Sequence, residues 1–116
     1  MNQREQMLKV LDTECALLVM GWHLGAYDYY YNSDNVPQIV QARWKPTLAI
    51  SQCFEVENKV LLDGLDKTYM RNLINKISPK ADYKHVRVWR LMHTLPLVRV
   101  ETILEIYRTW RIVPEV

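Results

Sequence analysis

Apolar residues recur at helical spacing near the start of the chain. Met7, Leu11, Cys15, Leu18 and Trp22 follow one another at steps of three or four, which puts them on one stripe of an amphipathic helix. Val10, Leu17 and Gly21 widen that stripe. Gly21 and Gly25 bracket the expected helix end, because glycine accepts the left-handed conformation that caps a helix. The period then changes. Tyr27, Tyr29, Tyr30 and Tyr31 favour a strand, Asn32-Ser33-Asp34-Asn35 favours a turn, and Ile39 to Trp44 reads as a second strand. A hairpin is the expected connection, with Pro37 at a strand start or an edge.

Helical spacing returns after Pro46, which is tolerated in a first helical turn. Ala49, Cys53, Val56 and Val60 form its stripe, with Ile50 and Phe54 beside it. Leu62, Leu65, Tyr69, Leu73 and Ile77 continue the pattern, with a break expected near Gly64 and a stop at Ser78-Pro79. In "YKHVRVWRL", Val86 and Val88 alternate against His85, Arg87 and Trp89, which predicts a strand. A last helix opens at Thr94 to Pro96. Val100, Ile103, Leu104 and Tyr107 form its apolar face, and Glu105 is placed to reach Arg108. The expected fold is a single α+β domain over residues 1–116. A small antiparallel sheet, a hairpin plus a further strand, is sandwiched by helices in the order α-β-β-α-α-β-α.

Composition narrows the function classes. Hydrophobic residues make up 49% of 116 residues, enough for one packed core. No apolar run reaches the length a membrane helix needs, and the first ten residues lack the basic-then-apolar order of a secretion signal, so cytoplasmic residence is expected. Cys15 and Cys53 both sit in helical apolar patterns and are expected to be buried, reduced thiols. Net charge is uneven: residues 1–60 carry 5 Lys/Arg against 7 Asp/Glu, net −2, and residues 61–116 carry 10 against 6, net +4.

No catalytic or metal-binding constellation emerges. His85 and His93 stand eight apart, and His23 and Asp28 fall in a turn region. None belongs to a metal-ligand motif, and the three glycines form no phosphate loop. No catalytic residue, metal ligand or cofactor is therefore expected. Two binding surfaces remain. Tyr29, Arg43, Trp44 and Lys45 combine aromatic faces and cations suited to a nucleotide-like ligand or a protein partner. The favoured reading of Trp44 and Pro46 is structural, packing the strand end and starting the helix, which leaves Arg43 and Lys45 for contact. Lys80, Lys84, Arg87, Trp89 and Arg90 gather around the expected third strand, where cations and an aromatic can meet nucleic acid. The competing reading puts Trp89 in the core with cations at its rim.

Several motifs resemble one family in order and spacing. Met20-Gly21-Trp22 ends the first helix, Trp44-Lys45-Pro46 leads into the next, Phe54-Glu55-Val56 sits within it, and Thr94-Leu95-Pro96 enters the last. Together they resemble the phage ABA-sandwich domain family. That resemblance implies a phage or prophage origin in the host cytoplasm and a helix–sheet–helix sandwich. It carries no assigned activity. The expected function is a non-catalytic accessory protein acting by binding, such as a host-defence inhibitor or a nucleotide-signal sponge. The alternative is a nucleic-acid binder using the basic second half. Unpaired sheet edges further suggest a homo-oligomer, and no membrane partner is expected.

Overall fold

A computed structural model describes residues 2–78 and 84–112, the side chains of Arg111 and Ile112 excepted. The described residues form five helices and one three-stranded antiparallel sheet, an α+β fold. Helix α1 spans Gln3–Glu14 and continues through a π-helical turn, Cys15–Val19. Strands β1 (His23–Leu24), β2 (Tyr29–Tyr31) and β3 (Pro37–Val40) follow, then α2 (Ile50–Leu62), α3 (Asp66–Ile77), α4 (Lys84–Met92) and α5 (Pro96–Ile112).

Asn2 caps α1, its side-chain oxygen accepting the Glu5 amide at 2.8 Å. The buried line on α1 differs from the expected stripe. Leu8, Asp12, Cys15, Ala16 and Val19 face inward, while Met7, Val10 and Leu17 are exposed. Asp12 is drawn inside because both its carbonyl and its carboxylate bind the Trp44–Thr47 segment. Gly21, at φ 72°, ends the helix, and the Trp22 amide reaches back to the Ala16 carbonyl at 2.9 Å.

The hairpin forms as β2–β3, with Tyr29 opposite Val40, Tyr30 opposite Ile39 and an irregular step before Tyr31 meets Pro37. Asn32 holds its turn, with Oδ1 accepting the Asp34 and Val36 amides. The second strand is shorter than expected: Gln41–Arg43 is a 3₁₀ turn, so Arg43 and Trp44 are not strand residues. The sheet's third strand is β1, which pairs with β2, and not residues 84–90. Tyr30, on the middle strand, is buried beside Trp22, which packs edge-on against Trp44 at 4.7 Å.

Pro46 does not start the helix it precedes. Lys45 to Ala49 form a turn closed by the Leu48 and Ala49 amides on the Lys45 carbonyl, and α2 begins at Ile50. Its inward residues, Cys53, Val56 and Val60, are the expected ones. Gly64, at φ 74°, ends α2 with two bonds, Leu65 amide to Val60 carbonyl and Gly64 amide to Leu61 carbonyl. Helix α3 then buries Tyr69 and Leu73, as its spacing predicts.

Helix α5 is the central element, packing on α1, the π turn, α2 and α3. Val100, Ile103, Leu104 and Tyr107 are fully buried there. Charged contacts tie its flanks to the other helices. Arg108 meets Glu14 through two bonds of 2.7 and 2.8 Å, and Lys76 meets Glu105 at 2.6 Å. Glu105 thus bridges to α3, while its charge also favours the Arg108 guanidinium within α5.

The segment expected as a strand, around Val86 and Val88, is helix α4. Two valines at alternate positions fit a strand, but the segment packs on α3 and is not paired with the sheet. A helix pairs its backbone groups internally, whereas an unpaired strand leaves them orphaned.

Candidate functional site

Asp12 organises the first expected site. The Trp44 indole Nε1–H donates to the Asp12 carbonyl at 2.9 Å, and the Thr47 amide donates to Asp12 Oδ1 at 2.9 Å. Burial raises the Asp12 pKa above its ordinary value, against the opposing bonds from Thr47 and the charge of Lys45. Gln52 closes the other side, its Oε1 accepting the Lys45 amide and its Nε2 donating to the Arg43 carbonyl. A cleft of about 310 Å³ lies between α1 and this segment, with Leu8, Lys9, Asp12, Trp44, Lys45 and Leu48 among its walls.

The four residues expected to bind a ligand do not assemble there. Trp44 is only 2% exposed, so its ring faces belong to the core and cannot stack on a base. Lys45 lines the cleft, while Tyr29 lies on β2 and Arg43 on the 3₁₀ turn, both exposed and away from its walls. Tyr27, at φ 59°, is the most exposed of the tyrosines singled out.

The second expected site is rearranged by α4. Lys80 lies outside the described residues. Lys84 is exposed at the start of the helix, Arg87 is half-buried, and Arg90 Nη1 donates to the Ile77 carbonyl at 2.9 Å. Trp89 is not a core residue: it is 61% exposed and stacks on His93 at 4.3 Å. His93 Nδ1 lies 2.8 Å from the Trp89 carbonyl, which only accepts, so that nitrogen carries a proton. No residue of α4 is fully buried. Val88, Met92 and Leu95 stand at 47%, 72% and 67% exposure. Val88, Met92 and Trp89 lie on one side of α4 with the exposed His85 among them, and the exposed Leu95 follows the helix end.

Arg99 fixes that face to the body. Its Nε donates to the Thr94 carbonyl at 3.1 Å, Nη2 donates to the Leu91 carbonyl, and Nη1 meets Glu57 Oε2 at 3.0 Å. The same Glu57 oxygen accepts the Tyr69 hydroxyl. One carboxylate thus joins α2, α3 and α5 to the end of α4. The nearby Cys53 thiol is fully buried and pushed up to about 12 by desolvation, and the Cys15 thiol is raised further by the same cause. Among the described residues, no three of His, Cys, Asp or Glu converge on a metal-sized site, and no helix is long and apolar enough to cross a membrane.

Sequence reasoning missed Met92 and Leu95. Spacing contained part of the signal: read at helical period, Val88 and Met92 align, which the strand reading concealed. The chain matches no family model, no curated protein and no solved structure.

Proposed function

We propose that the chain is a non-catalytic phage accessory protein that acts by binding a host protein through the outer face of α4. The phage assignment is supported by the ordered motifs Met20-Gly21-Trp22, Trp44-Lys45-Pro46, Phe54-Glu55-Val56 and Thr94-Leu95-Pro96. The observation carrying the binding reading is that Val88, Trp89, Met92 and Leu95 all face outward on one short helix and its exit. Full burial of such a side chain is worth roughly 1.5–3 kcal/mol, so four left outside favour a surface meant to be covered. A nucleotide ligand is less well supported, because Trp44 has no free ring face.

A second reading, nucleic-acid binding, has its own support. From Lys84 to Val100 the chain carries Lys84, Arg87, Arg90 and Arg99 and no carboxylate. Salt separates the two readings, since phosphate contacts weaken steeply as ions are added.

The test is site-specific photo-crosslinking in host extract from position 92, with position 7 on α1 as the control. The expected result is one host protein crosslinked from position 92, absent from position 7 and lost in a Trp89→Ala background. Crosslinks to nucleic acid, or the same products from both positions, would refute a protein-binding role for α4.

A further inference from the structure

We infer that the segment α4 receives is an acidic amphipathic helix of the partner protein; this rests on α4 being the binding surface. Shape comes first. At 100° per residue, Val88, Met92 and Trp89 fall within an arc of about 100° that also holds the exposed His85, and the exposed Leu95 follows the helix end. A strip that narrow fits the apolar side of a single partner helix, whose anchors recur at three- and four-residue steps.

Charge then selects the partner. Lys84 borders the strip on one side, His85 lies within it, and Arg90 stands beyond Trp89 on the other. No acidic residue occurs between Lys84 and Val100. Carboxylates flanking the partner's apolar residues would complement both borders, while lysines there would meet like charge. A second copy using the same face would set cation against cation. Nucleic acid and anionic lipid surfaces are less suited. Arg87 is half-buried, Arg90 is held by the Ile77 carbonyl, and Arg99 is engaged by Glu57 and two carbonyls. With Arg99 covered and Arg87 half-covered, the exposed Lys84 and Arg90 remain to meet carboxylates at set positions, too few for a diffuse layer of phosphates.

Fluorescence anisotropy with designed probes tests this on the full chain. The first probe is a labelled helical peptide of about 18 residues, leucines at three- and four-residue steps and glutamates on the flanks. Its counterpart carries lysine in place of every glutamate. A single-stranded oligonucleotide and phosphatidylglycerol-containing vesicles complete the set. The acidic peptide should bind tightest, with the lysine peptide at least about tenfold weaker. Trp89→Ala and Met92→Glu should each weaken the acidic peptide by about tenfold or more with unchanged circular dichroism, and Lys84→Glu should weaken it about threefold to tenfold. Equal binding of the lysine peptide, indifference to both α4 variants, or tighter binding of the oligonucleotide or vesicles would overturn the inference. Photo-crosslinking from position 92 distinguishes the two levels of failure. A host protein captured through a segment that is not acidic and helical removes the inference and leaves α4 as the binding surface. No crosslink from position 92 removes both.

Discussion

Glu57 is the joint through which α4 is held, and removing it should loosen the molecule measurably. Its Oε2 accepts the Tyr69 hydroxyl and meets Arg99 Nη1 at 3.0 Å. The Arg99 and Glu57 side chains are only 11% and 18% exposed, so solvent screens the pair weakly. Both bonds end on the Glu57 carboxylate, and a hydrogen bond to a charged group contributes about 1.5–3 kcal/mol. Glu57→Ala removes both and leaves Arg99 in a mostly enclosed site, which predicts a loss of about 3–5 kcal/mol. Glu57→Gln keeps the shape and one acceptor, and should cost about half of that. Tyr69→Phe should cost about 1.5–3 kcal/mol. Urea unfolding of the single and double variants gives the coupling, expected above about 0.5 kcal/mol because both groups share one oxygen. Tyr69 adds a pH signature. Burial, with the Glu57 bond second, raises its pKa above the ordinary value of about 10, so the neutral phenol is favoured in the folded state. Its contribution is complete below pH of about 10 and is lost as alkali titrates the folded phenol. A Glu57→Ala cost below about 0.5 kcal/mol, or no coupling with Tyr69, would show that the joint does not bear on stability.

Other consequences follow from burial elsewhere. Asp12→Asn keeps an acceptor for the Thr47 amide and removes a buried charge, so at neutral pH it should equal or exceed the wild type in stability by up to about 1 kcal/mol. Because the folded pKa of Asp12 is raised, that difference should shrink as pH falls through it to below 3.8; Asp12→Ala instead loses the acceptor and should cost about 1–3 kcal/mol. Cys15 and Cys53 should resist a thiol reagent in the folded protein and react fully in urea, since both are fully buried with raised pKa values; fast labelling of either before unfolding would contradict the packing. Gly25→Ala should cost about 1–3 kcal/mol by thermal melting, because the added Cβ would lie 2.6 Å from the Tyr31 ring, whose hydroxyl is tied to the Ala26 carbonyl.

Much of the helical frame was legible in the sequence. Cys53, Val56 and Val60, then Tyr69 and Leu73, then Val100 to Tyr107, repeat at helical period and form the core. Gly21 and Gly64 end helices because each takes a positive φ that other residues resist. The hairpin was legible in its tyrosines and its Asn-rich turn. Three features were not. The burial of Asp12 depends on Trp44 and Thr47, more than thirty residues away, and a local pattern carries no such partner. The β1 strand is two residues long and exists only through its pairing with Tyr30 and Tyr31. Residues 84–92 alternate and also repeat at helical period, and only the packing on α3 decides between them. That ambiguity reached the candidate site itself. As a strand, the segment placed Trp89 in the core or on a nucleic-acid platform; as a helix, it turns Trp89 outward beside Met92.

The most direct measurement pairs stability with binding in one variant, Trp89→Ala with Leu95→Ala, which leaves position 92 for the crosslinker. If the outer face of α4 serves contact and not folding, its unfolding free energy should stay within about 0.5 kcal/mol of wild type, while the crosslinked host protein and acidic-peptide binding are both lost. A variant that unfolds readily, or one that is stable and retains both, would contradict the assignment of this face to a partner.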